Sequence, residues 1–165
     1  MKNLFRACQF LLKKSHFCRL IPPAMLLRIF KVIWFFSLLT TSGVLFYVYA
    51  SLPETVTLME GSVAVPREQF FYMALALLTT FNLLVFVLRR LYSVEESWNI
   101  VAWFYGLVIF LNLFLLVALS FTSLINSGER FDYARIGAII YGSVFLLAAW
   151  SLTWPIYVVV RMIRS

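Results

Sequence analysis

Apolar residues run along this chain in four long blocks separated by short polar breaks. The blocks Val32–Ser51, Phe70–Leu88, Ile100–Phe121 and Ile136–Val160 hold no Asp, Glu, Lys, Arg or His. A helix needs about 20 consecutive apolar residues to cross a bilayer's hydrocarbon core, and each block is near or above that length. The pattern predicts an all-α, polytopic membrane protein. Its centre is a four-transmembrane-helix bundle over residues 32–165, with spans at about 32–51, 70–88, 100–121 and 136–160. Residues 1–31 precede it as a cytoplasmic amphipathic segment.

Within that segment, residues 2–20 carry a second pattern. At 100° per residue Leu4, Phe5, Cys8, Leu11 and Leu12 fall on one arc. Lys2, Arg6, Gln9, Lys13 and His16 fall on the opposite arc. Such a helix lies in the membrane interface with its basic side chains toward the headgroups. Pro22-Pro23 ends it. A cleaved signal peptide fits less well, because Lys13, Lys14 and Arg19 interrupt the apolar stretch. Translation from Met25 would leave the first span intact, so either methionine is a workable start.

The breaks between spans have their own signals. Thr55–Leu58 and Ser62–Val65 have strand-like composition around Met59-Glu60-Gly61, which suggests a short hairpin. Asn126-Ser127-Gly128 reads as a turn. The short stretch 89–99 makes spans two and three an antiparallel hairpin. Ser93 or Ser97 can cap the third span, with Glu95 and Glu96 near its positive end.

Composition adds a constraint. Of 165 residues, 63% are hydrophobic and 13% charged, so lipid must cover surface that a soluble domain could not hide. The formal charge of +7 would raise nucleic acid for a soluble protein. Here the basic residues flank the spans, which points to no nucleic acid and to anionic lipid headgroups at the N-terminal segment. Eleven of the 14 basic residues lie before span one, between spans two and three, or after span four. Arg67, Arg130 and Arg135 alone lie in the other two loops. The positive-inside rule then places both termini in the cytoplasm, and the expected location is a bacterial cytoplasmic membrane. Trp34, Trp98, Trp103 and Trp154 fall toward the same side, as an interfacial aromatic belt would.

Candidate chemistry is sparse. Asn82 and Asn112 each lie twelve residues into their blocks, which run in opposite directions, so both fall near the midplane. Thr79 is one turn from Asn82, and Tyr105 is seven residues from Asn112. The four make a candidate midplane polar layer: Thr79, Asn82, Tyr105 and Asn112. It serves either as helix glue or as a polar step for a substrate or ion. Ala134, Ala138 and Gly142 form a candidate packing stripe on span four. Ala102 with Gly106, and Ser37 with Thr41, form shorter ones. Pro155 cannot donate to the Ser151 carbonyl, so a kink is expected near Trp154. The mixed-charge loop residues Glu54, Glu60, Arg67 and Glu68, and Glu129, Arg130, Asp132 and Arg135, read as solvated.

Several activities lack the residues they need. The blocks hold no acid for proton-coupled export and no histidine for axial haem ligation. Cys8 and Cys18 are neither a CxxC pair nor a metal set. No HExxH, P-loop or dinucleotide fingerprint occurs. The composition therefore points to a non-enzymatic protein with no cofactor. Two readings stay open. One is an accessory or scaffold subunit acting through helix–helix and loop contacts, with a membrane-protein partner or as a homo-oligomer. The other is a small oligomeric transporter or channel that uses the midplane layer.

Overall fold

The computed structural model describes residues 23–58, 64–91, 98–127 and 133–164. The interfacial-helix reading of residues 2–20, the Ser93 and Ser97 caps, and the charged residues Glu60, Glu129, Arg130 and Asp132 lie outside the described residues. Four helices make up nearly all of the rest: α1 (Pro23–Ser51), α2 (Arg67–Leu91), α3 (Trp98–Asn126) and α4 (Tyr133–Arg164). Each contains a stretch long and apolar enough to cross a membrane. The chain is an all-α integral membrane protein built as a four-helix bundle.

The helices overrun their apolar blocks. α1 begins at Pro23, so residues 23–31 belong to the first helix rather than to a separate segment. Proline suits a first helical position, where its missing N–H has no helical partner anyway. The added turns have core work to do: Leu27 is buried against Val85, Val101 and Tyr105. α2 opens on Arg67 and Glu68, the latter a carboxylate suited to the positive end of the helix. α4 runs unbroken through Pro155.

α3 is the axis of the bundle. It packs against α1, α2 and α4, and α1 also touches α2, whereas α4 joins the bundle chiefly through α3. Two apolar clusters stack along α3. One, next to the hairpin described below, gathers Leu45, Val48, Phe70, Leu78, Leu115 and Leu119. The other, toward the opposite end, gathers Leu27, Val85, Val101, Tyr105 and Val108. Position 82 on α2 and position 112 on α3 fall between the two clusters. Outside, large apolar side chains such as Phe36, Phe46, Phe86 and Phe145 stand exposed. Lipid tails are as apolar as these side chains, so the exposure is the expected state of a lipid-facing surface.

The break between α1 and α2 holds a short strand pair at the outer ends of the two β-prone stretches, and the Met59-Glu60-Gly61 turn lies outside the described residues. β1 (Thr55–Val56) pairs antiparallel with β2 (Val65–Pro66), with Thr55 opposite Pro66 and Val56 opposite Val65. Two residues per strand would not hold in isolation. Three contacts hold them here. Val56 is fully buried in the adjacent cluster. The Arg67 N–H donates to the Glu54 carbonyl at 2.9 Å. The third is Asn126, which takes both main-chain groups of Thr57. It accepts from the Thr57 N–H at 2.9 Å and donates to the Thr57 carbonyl at 2.9 Å. The side-chain amide does the work of a neighbouring strand. Replacing it by Leu leaves both Thr57 groups unpaired, at a cost of about 1–3 kcal/mol. Asn126→Leu should therefore speed limited proteolysis between residues 58 and 64 in reconstituted vesicles. An unchanged cutting rate would show that the amide does not hold the hairpin.

Candidate functional site

Asn82 and Asn112 meet across the α2–α3 pair as a reciprocal amide pair. Asn82 Nδ2 donates to Asn112 Oδ1 at 3.0 Å, and Asn112 Nδ2 donates to Asn82 Oδ1 at 3.2 Å. Asn112 is fully buried and Asn82 nearly so. The local geometry follows from their setting. In a helix surrounded by hydrocarbon, an amide must find partners within the protein, since water is not there to supply them.

The pair does not stand alone. Asn82 Nδ2 also donates to the Leu78 carbonyl at 2.8 Å, one turn back on its own helix. Asn82 Oδ1 also accepts from the Trp34 indole N–H at 2.8 Å. With two donor hydrogens and two acceptor positions, the Asn82 amide is fully engaged. Asn112 Nδ2 donates in addition to Ser37 Oγ at 3.1 Å, and that hydroxyl donates onward to the Trp34 carbonyl at 2.8 Å. Thr41 Oγ1 lies 2.8 Å from the Ser37 carbonyl and 3.3 Å from the Asn112 carbonyl, sharing one proton between them. The result is a closed layer joining α1, α2 and α3 at one level.

Of the four residues proposed for this layer, the structure brings together Asn82 and Asn112. Tyr105 sits in the adjoining apolar cluster, 2% exposed, with its ring edge-on to Trp34 at 5.7 Å. Thr79 is not part of the layer. It is exposed, and its hydroxyl donates to the Leu75 carbonyl at 2.8 Å. A three-residue step turns a helix by 300°, about 60° short of a full turn, and this carries Thr79 off the Asn82 face. A threonine also satisfies its own hydroxyl on the carbonyl four residues back, so it has no need to face inward.

Two of the belt tryptophans also bond within the bundle. The Trp34 N–H points into the amide layer, where Asn82 Oδ1 accepts it. Trp103 is likewise turned onto α4. Its N–H reaches the Trp150 carbonyl and Thr153 Oγ1, both at 3.0 Å. In return the Trp150 N–H donates to the Trp103 carbonyl at 3.0 Å. This reciprocal clasp, which hydropathy does not reveal, is the main polar link between α3 and α4 among the described residues. It requires Gly106, because a Cβ there would come within 2.3 Å of the Trp150 ring.

The span-four stripe falls outside the packing of this chain. Ala138 and Gly142 are exposed, and a Cβ added at Gly142 would meet nothing within 4 Å. The side chain of Ala134 is outside the described residues. Ser37 and Thr41, by contrast, do mark a close approach, the one between α1 and α3. At the hairpin end, Arg67 is folded back rather than solvated. Its guanidinium lies 5.1 Å above the Tyr49 ring, and Nη1 donates to the Leu52 carbonyl at 3.3 Å. Glu54 and Glu68 are exposed. Among the described residues no three His, Cys, Asp or Glu side chains converge as a metal site would require.

No protein-family model matches this chain, and no match was found among curated proteins or solved structures.

Proposed function

We propose that this protein is a non-enzymatic membrane subunit, an accessory or scaffold component that works through helix and loop contacts with another integral membrane protein. The observation that carries this reading is the engagement of the midplane amides with one another. A polar step on a transport path must offer donors and acceptors to its cargo. Here the Asn82 amide is fully used by Asn112, Trp34 and Leu78, and both donor hydrogens of Asn112 are used by Asn82 and Ser37. That arrangement supports structural glue over a conducting layer.

The outward face of α4 supports the contact role. Gly142 has open space above its backbone, and Ala138 is exposed one turn away, so another helix can approach closely there. The charge asymmetry supports a cytoplasmic location for both chain ends and an external location for the hairpin, as in a bacterial inner membrane.

Purification in mild detergent, with and without Ala138→Leu and Gly142→Leu, tests the subunit reading. The expected result is one membrane-protein partner at fixed stoichiometry, lost in the variants while the chain itself stays folded. Reconstituted alone, the chain should conduct no ions or small solutes. Flux through the pure protein that Asn112→Leu abolishes would replace this reading with the transport one. Cysteine labelling at Ser62 and Ser93 in intact cells checks the orientation. Ser62 should react from outside and Ser93 should not.

A further inference from the structure

At the end of the bundle away from the hairpin, the described cationic side chains are Arg28 and Lys31 of α1 and Arg90 of α2. They stand on two stripes. At about 100° per residue, Arg28, Lys31 and Phe35 fall within about 60° of one another on α1, and Phe86 and Arg90 within about 40° on α2. The stripes are neighbours, because Phe86 lies edge-on to Trp34 at 5.8 Å and Leu27 shares a buried cluster with Val85. Lys31 is one turn from Trp34, and Arg90 is one turn from Phe86. Both steps run toward the same end of the antiparallel pair, so these two cations share a level, with Arg28 one turn beyond.

Arg28, Phe35, Phe86 and Arg90 are exposed and Lys31 is half-buried, so the stripes open to the outside. The charges stand where the apolar runs end, and the phenylalanines stand within those runs. The described carboxylates, Glu54 and Glu68, both sit at the hairpin end, so among the described residues no acid offsets the three cations. Glu95 and Glu96, in the connection after α2, lie outside the described residues, and the eleven basic residues on this side outnumber them.

We propose that the outward α1–α2 seam at this end binds one anionic phospholipid, its phosphate on Arg28, Lys31 and Arg90 and its acyl chains along Phe35 and Phe86. The surface fits a molecule that is anionic at one end and hydrocarbon at the other. A soluble anion or an acidic protein segment would meet the charges and leave the two rings uncovered. A second copy in the same orientation would bring the same three cations against these, and like charges repel. A zwitterionic phospholipid covers the rings but carries its own cation beside the phosphate. Each Lys or Arg near a membrane surface favours anionic lipid by about fivefold, so three together separate an anionic headgroup from a neutral one. The site is distinct from the basic arc of residues 2–20, and it does not depend on the subunit reading.

Quenching by spin-labelled lipid, on the full chain in detergent micelles, tests the proposal. Cys8 and Cys18 are replaced by Ser, and bimane is attached at Leu39→Cys, one turn from Phe35 on the same face. The micelles receive phosphatidylglycerol or phosphatidylcholine with a nitroxide on one acyl chain. Phosphatidylglycerol should quench saturably, at a single lipid per chain, and phosphatidylcholine only in proportion to its amount. Bimane at Leu77→Cys, nearer the hairpin on α2, should not distinguish the two lipids. Arg90→Gln should weaken the preference at Leu39→Cys by about fivefold. Arg28→Gln, Lys31→Gln and Arg90→Gln together should erase it, with the melting midpoint confirming the fold. If that triple variant does not fold, the two-lipid comparison and Arg90→Gln decide. Equal quenching by the two lipids would overturn the proposal. So would loss of the preference in a Lys2→Gln, Arg6→Gln, Lys13→Gln variant, since the lipid would then sit on residues 2–20. Release of the phosphatidylglycerol by inorganic phosphate at matched ionic strength would also overturn it, making the site one for a soluble anion.

Discussion

Gly106→Ala should loosen α4 from the bundle although it adds a single methyl group. The new Cβ would lie 2.3 Å from one carbon of the Trp150 ring and 2.8 Å from its nitrogen. Neither contact is tolerable, so the ring must move. It is not a free side chain, because its N–H is bonded to the Trp103 carbonyl, and Phe110 and Phe30 pack against it at 5.4 and 6.3 Å. Moving the ring opens the clasp and disturbs both neighbours. Overpacking of this kind costs about 1–3 kcal/mol. Intrinsic helix propensity works the other way, favouring Ala over Gly by about 1 kcal/mol. The expected net effect is still a loss, because the broken clasp adds to the strain. Gly43→Ala is the matched control. A Cβ there meets nothing within 4 Å, so only the propensity gain remains. Unfolding in detergent should show a lower midpoint for Gly106→Ala and an equal or higher one for Gly43→Ala. A Gly106→Ala midpoint at or above wild type would mean that the clasp does not hold α4.

The amide layer should show unequal costs for its two asparagines. Asn82→Leu removes the partner of both Asn112 and the Trp34 indole, leaving two buried donors short of an acceptor. Asn112→Leu leaves Asn82 with its bonds to Leu78 and Trp34 intact. Each loss should lie at about 1–2 kcal/mol, the upper part of the range for buried hydrogen bonds between membrane helices, with Asn82→Leu the larger. The double variant should cost less than the sum, because neither amide is then left facing an apolar surface. A double-mutant cycle on unfolding measures this coupling. Strict additivity would reject the direct contact. A larger loss for Asn112→Leu would reject the role given to Trp34.

The pairing of Asn82 with Asn112 was legible in the chain because position along a helix can be counted. Asn82 and Asn112 lie equally far from the starts of their blocks on antiparallel neighbours, and little besides a partner can satisfy an amide there. The contribution of α1 was not legible in the same way. Trp34, Ser37 and Thr41 reach the layer because of the rotation of α1 against α3, and no count along one helix reports that angle. Small residues mark a close approach without saying to what. Gly106 faces α4, and Ser37 faces α3, whereas Gly142 faces away from the chain altogether. The hairpin was readable from its two β-prone stretches, but its clamp was not. Asn126 looks like an ordinary turn residue until the fold brings Thr57 against it.

The attachment of α4 bears on the order in which the protein can be assembled. Every bond of the amide layer lies among α1, α2 and α3, and no residue of the two buried clusters belongs to α4. A chain is made from its N-terminus, and its earlier parts can settle before the later parts emerge. Once α3 has been synthesised, the layer has all its donors and acceptors, and the hairpin has Asn126. α4 then arrives as the last helix and docks on a surface that is already complete. The order of synthesis matches the order of dependence, so no amide of the layer has to wait in lipid for α4 to be made.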